Sequence, residues 1–191
     1  KMEVSRNVLP KNNFLKKIEQ FCKKENIVLI FDECTSGFRE TFGGLHLKYK
    51  IYPDICILGK ALGNGFPITA ILGKKKIMES AQSTFISSTF WTERSGYVAA
   101  LKTLEEMKKK KSWKIISNKG KMIKKKWKQL AIKYGLKIKI EGLDALPIFS
   151  IDSDKWLKYK SYITYIMLKN SILASNSIYI STSHKEKYLK K

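Results

Sequence analysis

The stretch Ile27–Phe38, IVLIFDECTSGF, runs an apolar segment into an Asp-Glu pair, with Gly37 close behind. A short run rich in β-formers and polar only at its end is the pattern of a central parallel strand, buried on both faces. It predicts a strand over 27–32 with the carboxylates at its carboxyl end, where open α/β sheets assemble ligand sites. Upstream, Phe14, Ile18, Phe21 and Cys22 recur at helical spacing and predict an amphipathic helix over about 12–25. Downstream, a connection containing Gly37, Gly43 and Gly44 leads to the turn signal Tyr52-Pro53-Asp54. A second apolar run, Ile55–Leu58, ends in Gly59-Lys60. A third, Ile68–Leu72, follows the loop Gly63-Asn64-Gly65-Phe66-Pro67, and a lysine-bearing helix is expected at about 74–82.

The segment from about 92 to 134 is helical in pattern. Val98, Leu101, Leu104 and Met107 form one apolar stripe, and Trp113, Ile116, Ile123, Trp127 and Leu130 a second. Lys108–Lys111 falls near a helix carboxyl end, where cations complement the dipole. Past Tyr134-Gly135 the pattern changes to short β-like runs at 136–140 and 146–151, a helix at about 155–170 and a strand at 177–182. Strands interleaved with helices, followed by a smaller mixed unit, indicate an α/β protein with a small second domain. The expected division is 1–135 and 136–191.

The 191 residues carry 38 Lys+Arg against 16 Asp+Glu, a net charge of +22. Such an excess raises the question of an anionic partner. The lysines are spread along the whole chain and Arg, the residue suited to bidentate phosphate or guanine contacts, is scarce. A lysine-rich surface is therefore the expectation, and a nucleic-acid partner is not. A non-catalytic basic protein using Lys108–Lys111 and Lys124–Lys126 stands as the alternative. Three cysteines (Cys22, Cys34, Cys56), without CxxC spacing, suit a reducing compartment. No apolar segment is long enough to span a bilayer and no signal-peptide pattern opens the chain, so a cytoplasmic location is expected. Neither His46 nor His184 has metal-ligand company in the sequence, and no metal site is expected.

The carboxylate pair has two chemical readings. A hydrophobic strand ending in Asp-Glu serves as the magnesium-holding element of P-loop ATPases. That reading needs GxxxxGK[ST], which neither Gly59-Lys60-Ala61 nor Gly73-Lys74-Lys75 supplies. The other reading joins Asp32 to Lys60, both at the carboxyl ends of consecutive strands. A carboxylate and an amine converging there suit pyridoxal phosphate: the amine forms a Schiff base with its aldehyde, and the carboxylate keeps the pyridine nitrogen protonated. A third possibility is local, with Asp32 merely capping the next turn.

Three ordered blocks, LIFDECTSGFRE, YPDICILGKALGNGFPITAILG and STFISSTFWTERSGYVAALKTL, resemble those of class III pyridoxal-phosphate aminotransferases, including the glutamate-1-semialdehyde 2,1-aminomutases. The likeness runs from about Val4 to His184. It implies the type I fold of pyridoxal-phosphate-dependent transferases: part of a large domain with a mostly parallel sheet, plus part of a small C-terminal α+β domain. By the resemblance, Lys60 is the catalytic Schiff-base lysine and Asp32 pairs with the pyridine nitrogen. Cys34 takes the place of a family valine against the cofactor ring, as a wall and not a nucleophile. Thr89, in Ser88-Thr89-Phe90, is the threonine that reaches the cofactor phosphate of the neighbouring subunit, which implies a homodimer. Its alternative role is to cap the following helix. The implied substrates are a small-molecule amino donor and a carbonyl acceptor. The family's Ser-Gly-Thr-type phosphate loop and ring-stacking aromatic have no counterpart here, so a partial chain is expected. Leu173–Ser177 lacks the Phe-Glu-Ala stretch of true aminomutases, which favours an aminotransferase.

Overall fold

The computed structural model describes residues 9–86, 89–90 and 92–189. Packing divides the chain into two units, Lys1–Trp113 and Lys114–Lys191.

The first unit opens with helix α1 (Phe14–Lys24), whose last turn carries Lys23 and Lys24 against the dipole's negative end. Strand β1 is shorter than the apolar run that announces it, Ile30–Asp32. Its approach is held differently. The Leu29 N–H donates to Asp54 Oδ2 at 2.8 Å, and the Leu29 carbonyl accepts from Asp54 N at 2.8 Å and Ile55 N at 3.1 Å. After the short helix α2 (His46–Tyr49), strand β2 (Ile55–Leu58) pairs parallel to β1, with Phe31 opposite Cys56 and Asp32 opposite Ile57. Strand β3 (Ala70–Gly73) pairs antiparallel to β2, Leu58 opposite Ala70.

The order β1-β2-β3 makes β2 the middle strand. Among the described residues β1 lies at an edge, with Ile30 half exposed, and is not the central strand that its apolar run suggests. Helix α3 (Lys75–Met78) continues into a 3-10 turn, Glu79–Ser83.

Cys56 and Leu58, on one face of β2, pack with Phe38, Leu62 and Ala100 into the core of this unit. Burying a Leu or Phe side chain is worth about 1.5–3 kcal/mol, so these few residues hold β2 in place. The core-facing side of helix α4 (Arg94–Lys110) runs through Gly96 and Ala100 to Leu104 and Met107. Val98 and Leu101 of the expected stripe are instead 64% and 70% exposed. The smallest residues face the core because they let the helix approach most closely. A left-handed Lys111 (φ 51°) breaks what reads as one long helical segment into two.

The second unit contains most of helix α5 (Ser112–Lys133), a hairpin of β4 (Ile138–Leu143) and β5 (Leu146–Ile151), and helices α6 (Trp156–Lys169) and α7 (Glu186–Leu189). Leu143 pairs with Leu146 across the two-residue turn Asp144-Ala145. Ile116 and Ile123 of α5 pack with Ala145 and Ile180, and Trp127 stacks edge-on to Phe149 at 4.7 Å. That packing is why the division falls after Trp113, whereas composition alone places it at 135.

The expected strand at 177–182 is not a strand. It runs beside β5 through a single bridge, Ile148 to Ser177, and through the bonds Ile178 N to Pro147 O and Ile180 N to Ala145 O. Pro147 has no N–H to return a bond, so a full ladder cannot form. Among the described residues no helix is long and apolar enough to cross a membrane.

Candidate active site

Parallel pairing of β1 with β2 sets their carboxyl ends side by side, and each strand there delivers one polar side chain to solvent. Asp32 ends β1 and is exposed; its Oδ1 accepts the Cys34 N–H at 3.0 Å. That bond is the local turn cap considered from sequence, and it fixes the carboxylate's orientation. The Cys34 side chain also hydrogen-bonds to the Asp32 carboxylate.

Lys60 follows β2 by two residues and opens the 3-10 turn Lys60–Leu62. Its φ of 45° lies in the left-handed region, an uncommon conformation for a residue with a side chain. Such strain persists only where surrounding structure over-determines it, and it gathers at functional sites. The exposed side chain reaches across to β1's exit loop, where Nζ donates to Thr35 Oγ1 at 2.6 Å. The structure thus brings the Lys60 amine to the loop that begins at Asp32.

Cys34 is half-buried between them. Burial first, and then the negative Asp32 carboxylate, push its thiol upward, while Lys60 pulls modestly the other way. A neutral thiol is the state this environment favours, suited to packing and not to nucleophilic attack.

Thr89 is exposed in a turn ahead of α4. It does not cap that helix. Glu93 does, accepting from Ser95 N at 3.1 Å and Gly96 N at 3.3 Å. A carboxylate at the helix's positive end is favoured, and a hydrogen bond from the Ser95 side chain first, then those from the Ser95 and Gly96 N–H groups, hold Glu93 below the ordinary carboxylate range. Ser88, beside Thr89, lies outside the described residues.

One grouping has no trace in the sequence pattern. Glu33, one residue past Asp32, is buried with its carboxylate turned away from solvent. Oε2 accepts from Ser36 Oγ at 3.2 Å and from the Leu45 backbone N–H. Oε1 accepts from the His46 backbone N–H at 2.9 Å and lies 2.7 Å from His46 Nδ1. Cys56 Sγ lies 3.8 Å from the same nitrogen. The expectation that His46 keeps no metal-ligating company holds along the chain but not in space. Glu33 is 13 residues from His46 and Cys56 is 10, so only the fold unites them.

The lysine runs are partly committed within the molecule. Lys124 Nζ donates to Gly142 O at 2.7 Å and Asp144 Oδ1 at 3.1 Å, and Lys110 pairs with Glu106 at 2.7 Å.

Comparison with known proteins gives the family. Residues 7–176 match the family model for class-III aminotransferases. The 3-aminobutyryl-CoA aminotransferase of Cloacimonas acidaminovorans (strain Evry) is 31% identical over 157 residues, which are 82% of this chain and 38% of that protein. A glutamate-1-semialdehyde 2,1-aminomutase of Saccharolobus islandicus is 38% identical over 119 residues, 61% of this chain and 28% of that one. The matched stretches therefore cover well under half the length of these relatives. Among solved structures, the pyridoxal-phosphate internal-aldimine form of the FumI protein of Sphingopyxis sp. MTA144 superposes with a TM-score of 0.88. It is 22% identical and covers 96% of this chain and 45% of that one. The fold is that of the pyridoxal-phosphate-dependent transferases, and the chain belongs to the class-III aminotransferase family.

Proposed function

We propose that these residues form the lysine-bearing part of a pyridoxal-phosphate aminotransferase site, with Lys60 carrying the cofactor and Asp32 facing its pyridine nitrogen. The observation that carries the reading is the placement of Asp32 and Lys60 at the exits of adjacent parallel strands, the amine drawn to Thr35 at 2.6 Å. The donor set fits the group. The amine is exposed and donates to a neutral hydroxyl, and the exposed Asp32 carboxylate is oriented by the Cys34 N–H.

When bound, the cofactor supplies an electron sink for the carbon beside the substrate nitrogen. Lys60 would hold the cofactor through its amine. Its Nζ would serve as the base that takes and returns the α-proton of the substrate. Asp32 would keep the ring nitrogen protonated, its own orientation fixed by the Cys34 N–H. Cys34 offers an uncharged wall beside the ring. Thr89 would donate to the cofactor phosphate of the neighbouring subunit in a homodimer. The substrates are an amino donor and a carbonyl acceptor.

A glutamate-1-semialdehyde 2,1-aminomutase is the second reading, favoured by the 38% identity to such a protein. It uses the same Lys60 and Asp32. The two separate on whether an amino group leaves on one molecule and appears on another, or migrates within one.

The test is the visible spectrum of wild type and Lys60→Ala mixed with pyridoxal phosphate. A shifted, borohydride-quenchable band in wild type alone supports the reading. Two spectra identical to that of free cofactor overturn it for this chain.

A further inference from the structure

We propose that Glu33, His46 and Cys56 form a binding site for a divalent cation of the zinc type, clipping the exit of β1 and helix α2 to strand β2. The three offer a carboxylate oxygen, an imidazole nitrogen and a sulfur, with ligand atoms all within 4.8 Å of one another. That mixture suits zinc and its borderline-soft neighbours; magnesium and calcium prefer oxygen alone.

The distances favour the same assignment. Tetrahedral zinc sets sulfur and nitrogen ligands about 3.6 Å apart, and nitrogen and oxygen ligands about 3.4 Å apart. Cys56 Sγ and His46 Nδ1 already stand 3.8 Å apart. Glu33 Oε1 and Nδ1, at 2.7 Å, are joined by the hydrogen bond that a cation would replace, and they must open by about 0.7 Å to reach the tetrahedral spacing. A small rotation of the His46 ring supplies that.

The supports around the ligands behave as an outer shell. Ser36 and the Leu45 N–H hold Oε2 of Glu33, which leaves Oε1 turned to His46. Gly44 supplies the room: a Cβ there would collide with the imidazole Nδ1 and Cε1 and meet Glu33 Oε1 at 3.0 Å. The site is shielded but not sealed, with the side chains of Glu33 and His46 5% and 12% exposed. A water completes the fourth position.

The arrangement excludes the other use of a Cys-His-Glu set. In a nucleophilic triad the imidazole receives the thiol proton on one nitrogen and is oriented through the other. Here sulfur and carboxylate both address Nδ1. The balance on metal binding is simple. Cys56 loses its proton to solvent, and the imidazole carries its hydrogen on Nε2 instead of Nδ1. One carboxylate and one thiolate then neutralise the dication, so the buried cluster has no net charge and its desolvation is largely offset.

The experiment titrates the metal-free chain with Co²⁺ and then displaces the cobalt with Zn²⁺. Expected are one equivalent of cobalt with a thiolate charge-transfer band in the near ultraviolet, and loss of that band on zinc addition. Cys56→Ser removes the band, and Cys56→Ser and His46→Gln each weaken affinity by at least about 100-fold, whereas Cys22→Ser leaves both unchanged. Should the variants fail to fold by circular dichroism, the wild-type chain decides: zinc must block alkylation of Cys56 and leave Cys22 and Cys34 as they were. Absence of stoichiometric binding, binding that survives both ligand substitutions, or a Cys56 that zinc does not protect overturns the proposal.

Discussion

Asp54 ties together the three strands that carry the candidate active site, and replacing it tests how they are positioned. Its Oδ2 accepts the Leu29 N–H at 2.8 Å, its Oδ1 lies 2.7 Å from Lys74 Nζ, and its carbonyl accepts from Lys74 N at 2.9 Å. A hydrogen bond to a charged acceptor contributes about 1.5–3 kcal/mol. The Lys74 side chain is 61% exposed, so the ion pair adds at most ~1 kcal/mol. Asp54→Ala should therefore cost about 2–3 kcal/mol, and Asp54→Asn, which keeps an acceptor for Leu29, about 1 kcal/mol.

The pH dependence follows from the same contacts. The Lys74 hydrogen bond first, and the Leu29 N–H second, hold the Asp54 carboxyl below its ordinary 3.8. A depressed folded value means the stabilisation is fully present above the unfolded value and is lost as pH falls through the folded one. Urea unfolding followed by far-ultraviolet circular dichroism reads these differences directly. The gap between wild type and Asp54→Asn should be open at neutral pH and close in acid. An Ala variant within about 0.5 kcal/mol of wild type, the range of an unremarkable surface change, would refute the reasoning. So would an Asn gap that does not move with pH.

Two further outcomes are expected. Gly120 of α5 lies against the backbone carbonyl of Asp144, and an added Cβ would overlap it. Gly120→Ala should lower Tm, because overpacking of about 1–3 kcal/mol outweighs the ~1 kcal/mol helix-propensity gain; a raised Tm contradicts that packing. Burial, then the charges of Glu33 and Asp32, push the Cys56 thiol from 9.0 to about 11. Iodoacetamide at mildly alkaline pH should therefore label Cys56 in the metal-free native chain at least about 100-fold more slowly than in denaturant, and equal rates would contradict the burial.

What was legible in the sequence was whatever a local period or a strand end encodes. The 3.6-residue recurrence of Phe14, Ile18 and Cys22 gives α1, and Ile55–Leu58 gives β2 to the residue. Asp32 and Lys60 were legible because each stands where an apolar run stops, and parallel pairing then brings the two ends together. The α4 stripe misled because Val98 and Leu101 outrank Gly96 and Ala100 in hydrophobicity, although close approach favours the small residues. The helix cap went to Glu93, not to a residue type usually preferred there. The strand at 177–182 read correctly as β-prone, but Pro147 opposite it denies the ladder. Glu33, His46 and Cys56 carry no shared period, and their meeting depends on how the 33–46 connection folds back over β2.

The most direct test of the account asks which amine takes the cofactor. The chain is mixed with pyridoxal phosphate, reduced with borohydride and digested, and the phosphopyridoxyl peptides are located by mass spectrometry. The account predicts that substoichiometric cofactor labels Lys60 ahead of the other lysines, and that added amino donor suppresses that label selectively. Labels scattered over the lysine-rich surface, with Lys60 no more reactive than its neighbours, would contradict it.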